Sequence, residues 1–212
     1  MRSKFDEQLA LLNRDLTKMG SLCEEALALA AKALANADGQ TAAKIAPIDS
    51  EIDQMERTIE SLCLKLLLQQ QPVARDLRQI SAALKMITDM ERIGDQASDI
   101  AEIIGFLNGR IGTDAQYICQ MAVAAMRMVT ESVEAYVKRD VAMAEATIQH
   151  DDVVDDLFLK VKESLIQMIS ENPKDGEYAL DLLMIAKYFE RIGDHATNIA
   201  EWVVFSLSLI HI

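Results

Sequence analysis

Apolar residues recur along this chain in alternating steps of four and three. In the first stretch Phe5, Leu9, Leu12, Leu16, Met19, Cys23, Ala26 and Ala30 fall on one face of a helix. Such a heptad stripe marks helices that pack side by side. The spacing predicts a helix running to about Asn36, where NADGQ reads as a turn. A second stripe, Ile45, Ile48, Ile52, Met55, Ile59, Leu62 and Leu66, predicts a second helix. Pro47 stands near its start, where proline is tolerated or gives a mild kink. The glutamines before Pro72 end it, and Pro72 opens a third helix in its first turn. The third stripe begins with Leu77, Ile80, Leu84 and Ile87, then continues as Glu91, Gly94, Ser98 and Ala101 to about Leu107. Acids and a glycine thus begin where the next inward apolar residue was due. NGRIGTD, residues 108–114, reads as a glycine-punctuated linker.

The second half restates the first, with helices predicted over 114–138, 141–170 and 175–207. ERIGDQASDIAE, from Glu91 to Glu102, returns 99 residues later as ERIGDHATNIAE, with nine of twelve positions identical. The turn residue Asp38 matches Asp140, 102 positions on, and Asp49-x-x-Ile52-Asp53 matches Asp151-x-x-Val154-Asp155 at that same offset. The drop in offset means that three residues were lost between the fifth and sixth helices. No period-two pattern competes with the helical one. The expected fold is all-α: two tandem, pseudo-symmetric three-helix bundles, six long antiparallel helices in all, produced by duplication. The expected units are residues 1–108 and 113–212, placed end to end.

Composition narrows the function. The chain carries 34 acidic and 21 basic residues, a net charge of -13, which argues against a nucleic-acid backbone as partner. It suits cations or basic protein surfaces. Cys23, Cys63 and Cys119 form no CxxC and read as reduced core residues of a cytosolic protein. The N-terminus lacks the apolar run of a signal peptide. The tail WVVFSLSLI is too short to span a bilayer and is expected to pack on the bundle or on a partner.

The candidate chemistry lies in acids spaced four apart. Glu91 and Asp95 share a helix face, about 6 Å apart along the axis, where like charges repel. Asp49 and Asp53 have the same spacing beside the second stripe, and the repeat supplies Asp151 with Asp155 and Glu190 with Asp194. Carboxylate pairs on neighbouring helices are how bundles hold metals, and all-oxygen ligation suits hard ions. Arg92 and Arg191 could neutralise part of the charge as salt-bridge partners. Gly94 and Gly193 admit two readings, close contact with another helix or room for a metal-bridging group. The di-metal enzymes of bundle type need Glu-x-x-His, which none of His150, His195 and His211 supplies. His195 admits two readings, a helix-surface histidine, which is favoured because Gln96 fills its place in the first half, or an additional ligand outside the duplicated design. No nucleophile with a base and no phosphate-cradling loop is present, so no catalytic residue is assigned.

FDEQLALLNRDLTKMG, QQPVARDLRQISAALKMITDMERIGDQASDIAE and YFERIGDHATNIAEW together make the chain similar to the PhoU family over nearly its whole length. The resemblance implies ExxxD and DxxxD motifs that hold multinuclear metal clusters, of iron or zinc in some members and magnesium in others; the all-oxygen donor set also suits manganese. Their ligands here would be Asp49, Asp53, Glu91, Asp95, Asp151, Asp155, Glu190 and Asp194. One turn after each ERIGD aspartate the halves differ, with Asp99 against Asn198. The resemblance also implies a cytoplasmic, homodimeric, non-enzymatic adaptor. It would link the high-affinity phosphate ABC transporter to its sensor histidine kinase, reach the membrane only through those partners, and hold the phosphate-starvation response off when phosphate is plentiful. The alternative is a carboxylate-bridged metal enzyme or a metal-storage bundle.

Overall fold

A computed structural model of the chain describes residues 2–69, 73–107, 109–110 and 115–207. It is helical throughout these segments. The elements are α1 (Arg2–Asn36), α2 (Gly39–Ala42), α3 (Ile45–Gln69), α4 (Ala74–Phe106), α5 (Gln116–Lys138), α6 (Val141–Gln149), α7 (Asp151–Glu171) and α8 (Gly176–Leu207). The helix expected over 141–170 is divided at His150. There the backbone N–H is shared between the carbonyls of Ala146 and Thr147, a tightened turn between α6 and α7. A 3₁₀ turn, Pro173–Asp175, precedes α8, and the Asn172 side chain caps it by accepting from the Lys174 N–H. The expected roles of Pro72, most of the 108–114 linker and the last residues of the apolar tail lie outside the described residues.

The turns after α1 and α5 are built alike. Ala37 and Arg139 both adopt positive φ, 50° and 56°. Each is followed by an aspartate whose N–H returns to the preceding helix, Asp38 to Ala33 O and Asp140 to Ala135 O, both at 2.9 Å. The side chains of Asp38 and Asp140 then cap α2 and α6.

The heptad stripes of α1 and α3 are buried as expected, with Leu12, Leu16, Met19, Ile45, Ile52 and Ile59 all fully covered. In α4 and α8 burial comes in adjacent pairs: 82–83, 86–87, 93–94 and 96–97 in one, 178–179, 185–186, 192–193 and 199–200 in the other. A helix buried on such a wide face touches neighbours on two sides. The second neighbour of α4 is α8, which runs antiparallel to it: Asp89 meets His195, and Asp99 meets Tyr188. Likewise α1 lies along α5. The Asn13 carboxamide oxygen accepts from the Tyr136 hydroxyl at 3.2 Å, and a Cβ on Gly20 would stand 2.8 Å from Val133. The halves therefore pack side by side and share one continuous core, which corrects the expectation of end-to-end placement. One stripe position is also corrected. Leu77 is exposed, because it sits near the α3–α4 tip with Leu68 and Val73, beyond the reach of the packing helices. Among the described residues no helix is long and apolar enough to cross a membrane.

Candidate metal centres

The first face lies between α3 and α4. Its floor is apolar: Ile52 is fully buried on α3, and Ile93 with Gly94 is buried on α4. On this floor Asp49, Asp53 and Asp95 each offer a carboxylate oxygen, and all three oxygens lie within 4.8 Å of one another. Gly94 makes that approach possible. A Cβ there would stand 2.9 Å from Asp49 Oδ1 and 3.0 Å from Ile52 Cδ1. The close-contact reading of this glycine holds, and the contact is with the acid-bearing turn.

The charges on this face are poorly compensated. Asp49 Oδ1 is buried and has no hydrogen-bond partner. Burial first, then the neighbouring Asp95 and Asp53, push the Asp49 carboxyl above its usual range, against a hydrogen bond from Ser98 that lowers it. Glu91 is raised by burial and by Asp95, with Arg92 opposing. Arg92 reaches one oxygen of Asp95 at 3.0 Å and one of Glu91 at 3.5 Å. Arg57 touches one oxygen of Asp53 at 3.5 Å. The hydrogen bonds of these arginines go to one oxygen of Asp95 and one of Asp53. The motif reading missed Glu56, which follows Asp53 by three positions on the same stripe. Its carboxyl is raised by burial, Glu60 and Asp53, and it acts electrostatically on Glu91.

The second face repeats the first between α7 and α8. Asp151 stands over Gly193, where a Cβ would be 3.2 Å from its Oδ1. Burial, followed by Asp194, Asp155 and Glu190, pushes the Asp151 carboxyl up to about 6. Asp194 is raised by burial and Glu190, with Lys187 opposing. Among the described residues, the convergence of three acids within 4.8 Å occurs on the first face alone. On the second, Lys187 Nζ holds both oxygens of Glu190, at 2.5 and 2.6 Å.

An orphaned buried carboxylate oxygen, a glycine cradle and an all-oxygen donor set fit a hard cation on the first face. The four acids of the second face share that chemistry. His195 lies at the contact between the two halves. His195 Nδ1 lies 2.9 Å from Asp89 Oδ1, and Asn198 donates to that same oxygen at 3.1 Å, so both side chains join α8 to α4. Asp99 is engaged by the Tyr188 hydroxyl across the same contact. The signal was present in the sequence as the exchange of Gln96 for His195 and of Asp99 for Asn198, yet only the helix crossing shows what each side chain meets. An open cleft of about 550 Å³ lies elsewhere, where Arg110 stacks on Tyr178, and none of the eight motif acids lines it.

Comparison with known proteins adds a lineage to this geometry. A family model described as the PhoU domain matches residues 16–104 and again residues 118–203. A phosphate-specific transport system accessory protein PhoU homolog from Clostridium acetobutylicum is 35% identical over 209 residues, covering 98% of this chain and 95% of the relative. The crystal structure of PhoU from Pseudomonas aeruginosa superposes with a TM-score of 0.92 at 33% identity, covering 96% of this chain and 98% of that one. That of the phosphate transport system regulatory protein PhoU from Streptococcus pneumoniae gives 0.87 at 25% identity, covering 98% and 100%.

Proposed function

The chain belongs to the PhoU family, and from that premise we propose that it is a metal-binding accessory regulator of phosphate uptake. It acts in the cytoplasm as an adaptor, with residues 1–108 and 113–212 as its two units. Its partners are a high-affinity phosphate ABC transporter and a sensor histidine kinase, and it keeps the starvation response off when phosphate is plentiful. Membrane association comes through those partners, and the working form is a homodimer. The observation that carries the metal part of this reading is the buried, unpartnered Oδ1 of Asp49 beside Asp53 and Asp95. Asp49, Asp53, Glu91 and Asp95 hold metal on the first face; Asp151, Asp155, Glu190 and Asp194 hold it on the second.

A bound iron, zinc, magnesium or manganese ion supplies positive charge to acids that otherwise repel. The chain's own residues do the rest. The glycines let α3 and α7 approach, the isoleucine floor excludes water, and the acids fix the spacing of each helix pair. Catalysis is not part of this reading. Burial pushes the Cys23 thiol up and takes Cys63 to about 12, so neither offers a thiolate at neutral pH. His195 is committed to Asp89 rather than set three residues after a glutamate.

Two measurements test the proposal. Protein purified without chelator is expected to hold about one metal ion or more per chain and to melt lower once stripped. Deletion of the gene is expected to switch on alkaline phosphatase in phosphate-rich medium. Metal-free protein with melting unchanged by chelator would end the metal reading, and undiminished repression would end the adaptor reading. Vigorous metal-dependent oxidase or hydrolase turnover, abolished by Glu91→Ala, would favour the enzyme alternative instead.

A further inference from the structure

The two faces descend from one duplicated unit, but their surroundings have diverged, and two of the matched differences bear directly on an acid of the second face. Glu56 on α3 corresponds, 102 positions on, to Phe158 on α7, and Thr88 on α4 corresponds, 99 positions on, to Lys187 on α8. The first face therefore has a further carboxylate, and the second has an aromatic ring and a cation. The replacements touch each other. Lys187 Nζ lies 5.5 Å from the centre of the Phe158 ring while holding both Glu190 oxygens. The ring stabilises the ammonium from one side and the carboxylate from the other. The Glu190 side chain is 15% exposed and that of Lys187 46%, so the carboxylate end of the pair is the shielded one.

The first face is not free of cations, but its arginines hold its acids differently. Arg92 hydrogen-bonds one oxygen of Asp95 and only borders Glu91, at 3.5 Å. A metal can bind the remaining oxygens without displacing it. On the second face a metal that uses Glu190 must first displace Lys187 from both oxygens.

Resting on the metal reading above, we propose that Lys187, seated on Phe158, is a tethered cation that competes with metal for Glu190 and makes the second face the weaker of two unequal sites. The first face fills first, and the second fills only as free metal rises. The chain thereby reports two ranges of metal concentration rather than one.

Manganese titration of chelator-stripped full-length protein, followed by the electron-spin signal of free Mn²⁺, tests this. Wild type is expected to show two classes of site. Asp49→Asn should remove the tighter class and Asp151→Asn the weaker. Lys187→Met should tighten the weaker class by about five- to tenfold while leaving the tighter one unchanged. Melting temperature at each manganese concentration provides a second readout that excludes misfolded variants. Sites of equal affinity in wild type, or a weaker class unmoved by Lys187→Met, would overturn this inference while leaving the metal reading standing. No manganese binding by wild type would remove both.

Discussion

At the scale of single residues, the consequential groups are carboxylates held where their charge is unwelcome. Asp151 is the plainest case, with burial and four acidic neighbours pushing its carboxyl from 3.8 to about 6. Below pH 4 it is neutral in the folded and the unfolded chain alike. Between about 4 and 6 the folded chain keeps a proton that the unfolded chain has released. The contribution of Asp151 to stability is therefore lost as pH rises through that window. Chelator-stripped protein should melt higher at pH 5 than at pH 7 relative to an Asp151→Asn variant, in which the difference shrinks. An identical pH response in the two proteins would exonerate Asp151. The spacing of the eight acids made this face legible in the sequence, because a one-turn interval places paired charges together whatever else the fold does. Glu56, Asp89 and Ser98 were not legible in the same way. Their importance comes from a neighbouring helix, and no local spacing encodes which helix that is.

At the scale of elements, the stripes predicted the long helices well because each buries a heptad face against a neighbour, and Leu12, Ile52 and Ile80 are all fully covered. The breaks were harder to foresee. The tightened turn at His150 follows no proline or glycine, so nothing in composition marked it. The turns at Ala37 and Arg139 likewise use residues with a Cβ at positive φ, where glycine is the usual choice. This repeated choice has a measurable cost. Ala37→Gly is expected to stabilise the protein by about 0.5–1 kcal/mol, seen as a higher melting temperature, and Arg139→Gly should do the same. A fall in melting temperature in both would mean that chain entropy outweighs relief of the left-handed strain.

At the scale of the whole molecule, the antiparallel contact of α4 with α8 joins the halves through polar groups as well as apolar ones. Asp89 anchors His195 and Asn198, with the Asp89 and His195 side chains 14% and 18% exposed. Asp89→Ala should cost about 1–3 kcal/mol, because it strands two half-buried partners on α8. The double variant Asp89→Ala with Asn198→Ala should cost less than the sum of the singles in denaturant melts. Strict additivity would show that the two side chains do not act on each other. One stripe per helix cannot reveal such a contact. The second buried face of α4 is visible in the sequence only as extra apolar residues, and pairing them with α8 requires the tertiary arrangement.

The same crossing has a consequence for how the two copies could diverge. Helices related by an approximate two-fold axis, meeting through Asp89 with His195 on one side and Tyr188 with Asp99 on the other, are arranged as two separate subunits of a symmetric pair would be. In a pair of identical subunits every substitution appears twice, and any gain on one surface is duplicated on the other. Joining the copies in one chain removes that constraint. Glutamate could stand at position 56 and phenylalanine at 158, threonine at 88 and lysine at 187, without either change being imposed on its twin.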